Sequence, residues 1–179
     1  MINTLYWVYM LMNLYTDSKK LETYNRLHFF MLIFLFMCYL YNALDVFSFL
    51  KILFIAITIG IIFEILPFVK SSSGDTKMIA ISSLYIFLVT PLKPFIIPII
   101  LFFVFRLISA LFSVSFIVIG MIYININSRY KTQLEEGVNF GVMAYRGTFK
   151  RINGVLNIST ETPATIAIII STFIITFIY

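Results

Sequence analysis

Eight carboxylates stand in a chain of 179 residues, and two of them are placed for paired-carboxylate chemistry. Asp17 closes an apolar run that begins at Ile2, and Asp75 precedes another that begins near Met78. Two intervening apolar runs return the chain to the same side, so the two aspartates fall at one depth. Close carboxylates cannot both ionise cheaply, so such a pair shares one proton. The ionised member activates a water, and the protonated member polarises a scissile carbonyl. The pair titrates as a unit, which leaves the two roles unassigned. Both residues also carry plain structural readings. Asp17 can end a helix at the water interface, and the serines, glycine and aspartate of 71–75 form a good N-cap sequence.

Other chemistries lack their residues. Cys38 is the single cysteine, so it forms no intramolecular disulfide and no zinc cluster, and it reads as a small buried apolar side chain. His28 is the single histidine, whereas catalytic zinc generally takes two or three. A Ser-His-Asp triad resting on His28 is weakly supported. No metal and no cofactor is expected. The net charge of +5 comes from scattered lysines and arginines with no basic run longer than two, which argues against a nucleic-acid partner.

The elements that must hold the aspartates are apolar helices. Of the residues, 61% are hydrophobic and 12% charged, and mean hydropathy is +1.00, where soluble domains are near half apolar and a quarter charged. The composition predicts an all-α membrane protein, a six-helix transmembrane bundle forming a single membrane domain over 1–179. The apolar runs fall at about 2–16, 27–44, 46–69, 78–90, 95–124 and 164–179. The fifth is long and reads as one tilted or protruding helix, with Pro91, Pro94 and Pro98 at its start. The N-terminal segment has no basic region and no small-residue cleavage site, so it reads as the first helix rather than a signal peptide.

Basic residues set the orientation, because they collect on the cytoplasmic side. With the N-terminus outside, ten of the thirteen lie inside: Lys19, Lys20, Arg26, Lys70, Lys77, Arg129, Lys131, Arg146, Lys150 and Arg151. Lys93 lies in an outer loop, Lys51 can snorkel, and Arg106 lies within the fifth helix. This places Asp17, Glu64 and Asp75 toward the inner side, in a multi-pass protein of the cytoplasmic membrane.

Ionisable groups inside a membrane helix usually have a partner. Glu64 lies about 9 Å inside the inner edge, counted from Lys70, and Arg106 roughly 18 Å from the outer edge, counted from Pro94. In a core about 30 Å thick these depths nearly coincide, so a structural Glu64–Arg106 pair is expected between the third and fifth helices. The polar stretch 125–162 reads as a cytoplasmic loop. Its part from Phe140 to Val155 mixes apolar and basic residues and suits an amphipathic helix on anionic lipid.

The local sequences around the two aspartates add a resemblance. Asp17 is followed by Ser18-Lys19-Lys20 and by Asn25, and Ser72-Ser73-Gly74-Asp75-Thr76-Lys77 follows two helices later. This pattern resembles the prepilin peptidase family, membrane aspartyl proteases with a G-x-G-D motif. Asp17 matches that family's first aspartate, Asn25 its asparagine, and Gly74, Asp75 and Lys77 its second motif. Ser72 stands where the family has the motif's first glycine. Pro163-Ala164-Thr165-Ile166-Ala167 is similar to the family's entry into its last helix.

The resemblance implies a catalytic pair, Asp17 and Asp75, supported by Gly74, Lys77 and Asn25. It implies cleavage of the basic leader of a prepilin-like precursor at the cytoplasmic membrane edge. Glu22, Glu135 and Glu136 are candidates to attract that leader, and Lys77 to tune an aspartate or bind a phospholipid head group. The cysteine-rich insert of methylating relatives is missing, which implies peptidase activity alone. Two other functions compete: a non-catalytic membrane assembly subunit, and a small transporter with Glu64 and Arg106 along its path.

Overall fold

A computed structural model describes residues 1–20, 23–65, 73–142, 145–161 and 164–179. Its order is α1 (Ile2–Lys20), α2 (Asn25–Tyr41), α3 (Val46–Ile65), α4 (Ser73–Val89), α5 (Ile96–Ile126), α6 (Ser128–Thr132), a 3-10 turn, β1 (Val138–Val142), β2 (Tyr145–Ile152), β3 (Val155–Glu161) and α7 (Ala164–Ile178). The chain divides into two compact units, Met1–Arg106 with Ala164–Tyr179, and Leu107–Pro163.

Helix ends in the first unit follow local chemistry. Asp45 starts α3: its carboxylate accepts the Phe47 N–H at 3.0 Å, a donor with no partner inside the helix. At the end of α2, Leu44 N–H donates to Tyr39 C=O and Ala43 N–H to Leu40 C=O, both at 3.1 Å. This pairing demands a left-handed residue, and Ala43 supplies it at φ 50°. Pro98 falls in the first turn of α5, where its missing N–H leaves no bond unmade.

Among the described residues, only α5 is long and apolar enough to cross a membrane by length and composition, with a mean hydropathy of 2.4 over its best window. Its 31 residues span about 46 Å, against a hydrocarbon core of about 30 Å. Asn25–Tyr41, Val46–Ile62 and Ala164–Ile178 are shorter apolar helices.

The helical unit hides polar groups and exposes apolar ones. Ser82, Ser83, Asn13, Thr165, Ser171 and Thr172 are fully buried, while Phe30, Phe47, Phe54 and Ile65 are exposed. Tyr6 on α1 donates to Ser82 on α4 at 2.7 Å and reaches Thr172 on α7 at 3.4 Å. Its ring stacks on Tyr85 at 3.7 Å between centroids. The face of α3 that meets α4 carries small residues, Ala56 and Gly60, both buried. A Cβ at Gly60 would overlap the Thr76 side chain, so the two helices approach closely there.

The second unit corrects the all-α expectation. The stretch expected to be a loop, with an amphipathic helix over Phe140–Val155, is an antiparallel three-stranded sheet in the order β1-β2-β3. Its apolar residues recur every second position, which serves a strand and not a helix. Val138 pairs with Phe149, Phe140 with Gly147, and Phe149 with Ile158, all on one face. That face packs on the later half of α5, in a core of Phe116, Ile124, Leu134, Val138 and Phe149. Two glycines admit two rings: a Cβ at Gly120 of α5 would meet Phe149, and one at Gly147 of β2 would meet Phe116. Asn153 and Gly154, at φ 51° and 80°, make the two-residue turn between β2 and β3.

Candidate functional site

The C-terminal ends of α1 and α3 and the starts of α2, α4 and α7 carry the candidate residues. Asp17 is buried near the end of α1, at 7% exposure. Its Oδ2 accepts two hydrogen bonds from Thr165, the backbone N–H at 3.1 Å and Oγ1–H at 2.6 Å. Thr165 is the second residue of α7, so its N–H is one of the donors a helix start leaves without an internal partner. A carboxylate there is favoured by the helix dipole as well. Asp17 therefore joins α1 to α7 across 148 positions. Thr165 Oγ1 also lies 3.5 Å from Met78 Sδ, and Met78 is one turn along α4 from Asp75.

Asp75 is half-buried in the first turn of α4, where the dipole again favours its charge. Its carboxylate acts electrostatically on the Arg106 guanidinium. Arg106 is also held against the rings of Phe102 and Phe105, with its central carbon 5.2 and 5.1 Å from their centroids. Glu64 instead accepts from Thr76 Oγ1 at 3.2 Å. Glu64 and Arg106 are thus each described with another partner, Thr76 for the first and Asp75 for the second.

Asn25 and Lys77, which the sequence grouped as supporting residues, meet directly. Lys77 Nζ donates to Asn25 Oδ1 at 2.8 Å, tying the start of α4 to the start of α2. Gly74 is the second residue of α4 and is half-buried. Its φ lies outside the left-handed range, so backbone freedom is not what glycine supplies there. His28 has both ring nitrogens occupied, Nδ1 with Tyr9 Oη at 2.7 Å and Nε2 with Thr23 Oγ1 at 2.8 Å. It serves as a buried link between α1 and α2.

Among the described residues, no group of histidine, cysteine or carboxylate side chains is arranged to hold a metal ion. Ser72, Glu22 and Pro163 lie outside the described residues. Glu135 and Glu136 are exposed in the second unit. Thr165 and Thr76 were not singled out from the sequence. A threonine opening an apolar helix is a visible signal, but its partner 148 positions away is not. This chain matches no protein-family model, no curated protein and no solved structure.

Proposed function

We propose that the chain is a multi-pass membrane aspartyl endopeptidase with Asp17 and Asp75 as its catalytic pair, cleaving the basic leader of prepilin-like precursors. The observation that carries this reading is the gathering of both aspartates, Asn25, Lys77 and Thr165 at one end of one helical unit. Six spans with the N-terminus outside put that end at the cytoplasmic face. Helix α5 is long enough for such a span, and the exposed apolar surfaces of α2, α3 and α7 are what lipid-facing helices present.

In this mechanism the Thr165 bonds fall on Oδ2 of Asp17, which leaves Oδ1 for the proton or water that the pair handles. The two aspartates share one proton, and the pair as a unit activates the water and polarises the scissile carbonyl. A precursor helix must unwind its first turn to enter, because helical carbonyls are already hydrogen-bonded. No cofactor and no metal takes part in the proposed reaction.

One observation favours a second reading, a non-catalytic assembly subunit. Asp17 already has a complete structural task in closing the start of α7. Paired substitutions separate the two. Asp17→Asn keeps an acceptor for Thr165, and Asp75→Asn keeps the helix start. Under the peptidase reading each abolishes cleavage of a co-expressed precursor while the protein accumulates normally in the membrane. Cleavage retained in either variant defeats that reading. Asp17→Leu, which removes the acceptor, should in addition lower the amount of folded protein.

A further inference from the structure

A groove of about 380 Å³ lies between α2, α3 and α4, and its lining changes character from end to end. At one end stand Asn25, His28, Thr76 and Lys77. From there it runs over Leu32, Leu53, Ile57, Ala80 and Ile81, with no further charged side chain in its lining. The volume falls in the range of small-molecule sites.

The order of residues fixes the direction of this change. Asn25 begins α2 and Lys77 lies in the first turns of α4, so the polar end is the end of the unit that carries Asp17 and Asp75. Leu32 is about 10 Å further along α2, and Leu53 is about 18 Å back from the end of α3. In the proposed orientation the polar end lies at the inner-leaflet head groups, and the apolar end near mid-bilayer. The dimension matches a single acyl chain hanging from its head group.

Charge selects the head group. Lys77 is exposed, and Asn25 holds its ammonium at 2.8 Å in a fixed place. Arg26 is the exposed residue next to Asn25. Among the described residues the nearby acids are Glu64, engaged by Thr76 on the α3 side, and Asp75, which acts on Arg106. Lys77, with Arg26 beside its partner Asn25, offers a phosphate the positive charge that attracts it. The inner leaflet is also the anionic one.

We infer that the groove between α2, α3 and α4 binds an anionic phospholipid of the inner leaflet, with its phosphate on Lys77 and one acyl chain along Leu32, Ile57 and Ala80. The site rests on the membrane orientation and not on the peptidase activity, so it stands whether or not the aspartates cleave anything.

Brominated lipids test it in the full chain. The chain has a single tryptophan, so Trp7→Phe with Phe29→Trp places one reporter on the groove, and Trp7→Phe with Phe54→Trp places a control on the 72%-exposed position of α3. Each is reconstituted in bilayers containing brominated phosphatidylglycerol or brominated phosphatidylcholine. The groove reporter should favour phosphatidylglycerol about fivefold, the contribution of one well-placed lysine at an anionic surface. The control should show no preference. Lys77→Gln should erase the preference and Lys77→Arg should keep it. Equal quenching of the groove reporter by both lipids overturns the proposal, as does a preference that survives Lys77→Gln. Protection from both lipids by an added apolar peptide with a basic leader would assign the groove to a peptide and also overturn it.

Discussion

The two units of this chain differ in how much polar chemistry they bury and in what they expose. In the helical unit the interior mixes apolar side chains such as Leu35, Ile52 and Leu84 with hydroxyls and amides such as Tyr6, Ser82, Thr172 and Asn13, while the exterior holds Phe30, Phe47 and Phe54. In the sheet-bearing unit the interior is Phe116, Phe149, Val138 and Leu134. The register there puts Asn139, Arg146, Thr148, Lys150, Asn157 and Ser159 on the outer face. Apolar burial drives assembly only where water is the alternative. Where lipid is the alternative, close packing and interhelical hydrogen bonds must do the joining. The exposed rings and buried hydroxyls of the helical unit are what the proposed membrane placement calls for, and the sheet's apolar core is what water calls for.

Substitutions can break or sharpen this contrast. The largest effect is expected in the water-type core. Phe149→Ala removes the ring seated over Gly120 and should cost about 3–5 kcal/mol. Hydrogen exchange should show the loss in β1–β3, with the helical unit still protected; loss spread evenly over both units would contradict their independence. Next comes close packing in the helical unit. Gly60→Leu forces a side chain onto Thr76 and should cost about 1–3 kcal/mol, visible as α3–α4 separation in a cross-linking assay between cysteines introduced on the two helices. No change in cross-linking would mean that the approach at Gly60 is not needed. Ala43→Gly should stabilise by about 1 kcal/mol, because glycine adopts φ 50° without the penalty of a Cβ. A lower melting temperature would contradict that. The smallest effect belongs to single hydrogen bonds. Tyr6→Phe with Ser82→Ala, measured as a double-mutant cycle, should give a coupling of about 0.6 kcal/mol. A coupling near zero would leave shape alone as the joining force in the helical unit.

The sequence revealed the helices better than the sheet, for a physical reason. Apolar runs bounded by charges or prolines mark helices directly, so α2, α5 and α7 begin and end within three residues of their expected limits and α3 begins at Val46 as expected, its expected end lying outside the described residues. Helix α1 continues through Lys20, since Ser18, Lys19 and Lys20 are polar yet accept helical geometry. The strands lack a long run, and high polarity between membrane segments reads as loop. Their signals were present nonetheless: Asn153-Gly154 is a strong hairpin marker, and apolar residues alternate on both sides of it. At the candidate site, local motifs grouped Asn25 with Lys77, and the structure joins them. Partners such as Thr165 for Asp17 and Asp75 for Arg106 depend on how helices are arranged laterally, and linear spacing carries no such information.

The bond from Asp17 to Thr165 also bears on the order in which the protein is made. The residues of the sheet-bearing unit are contiguous, and a ribosome delivers them before α7. That unit can finish folding while the helical unit still lacks α7. During that interval Asp17 has no Thr165 to bind, and the hydroxyl of Tyr6 has Ser82 but not Thr172. The acid on which the proposed chemistry depends is therefore set in place only after α7 has been made.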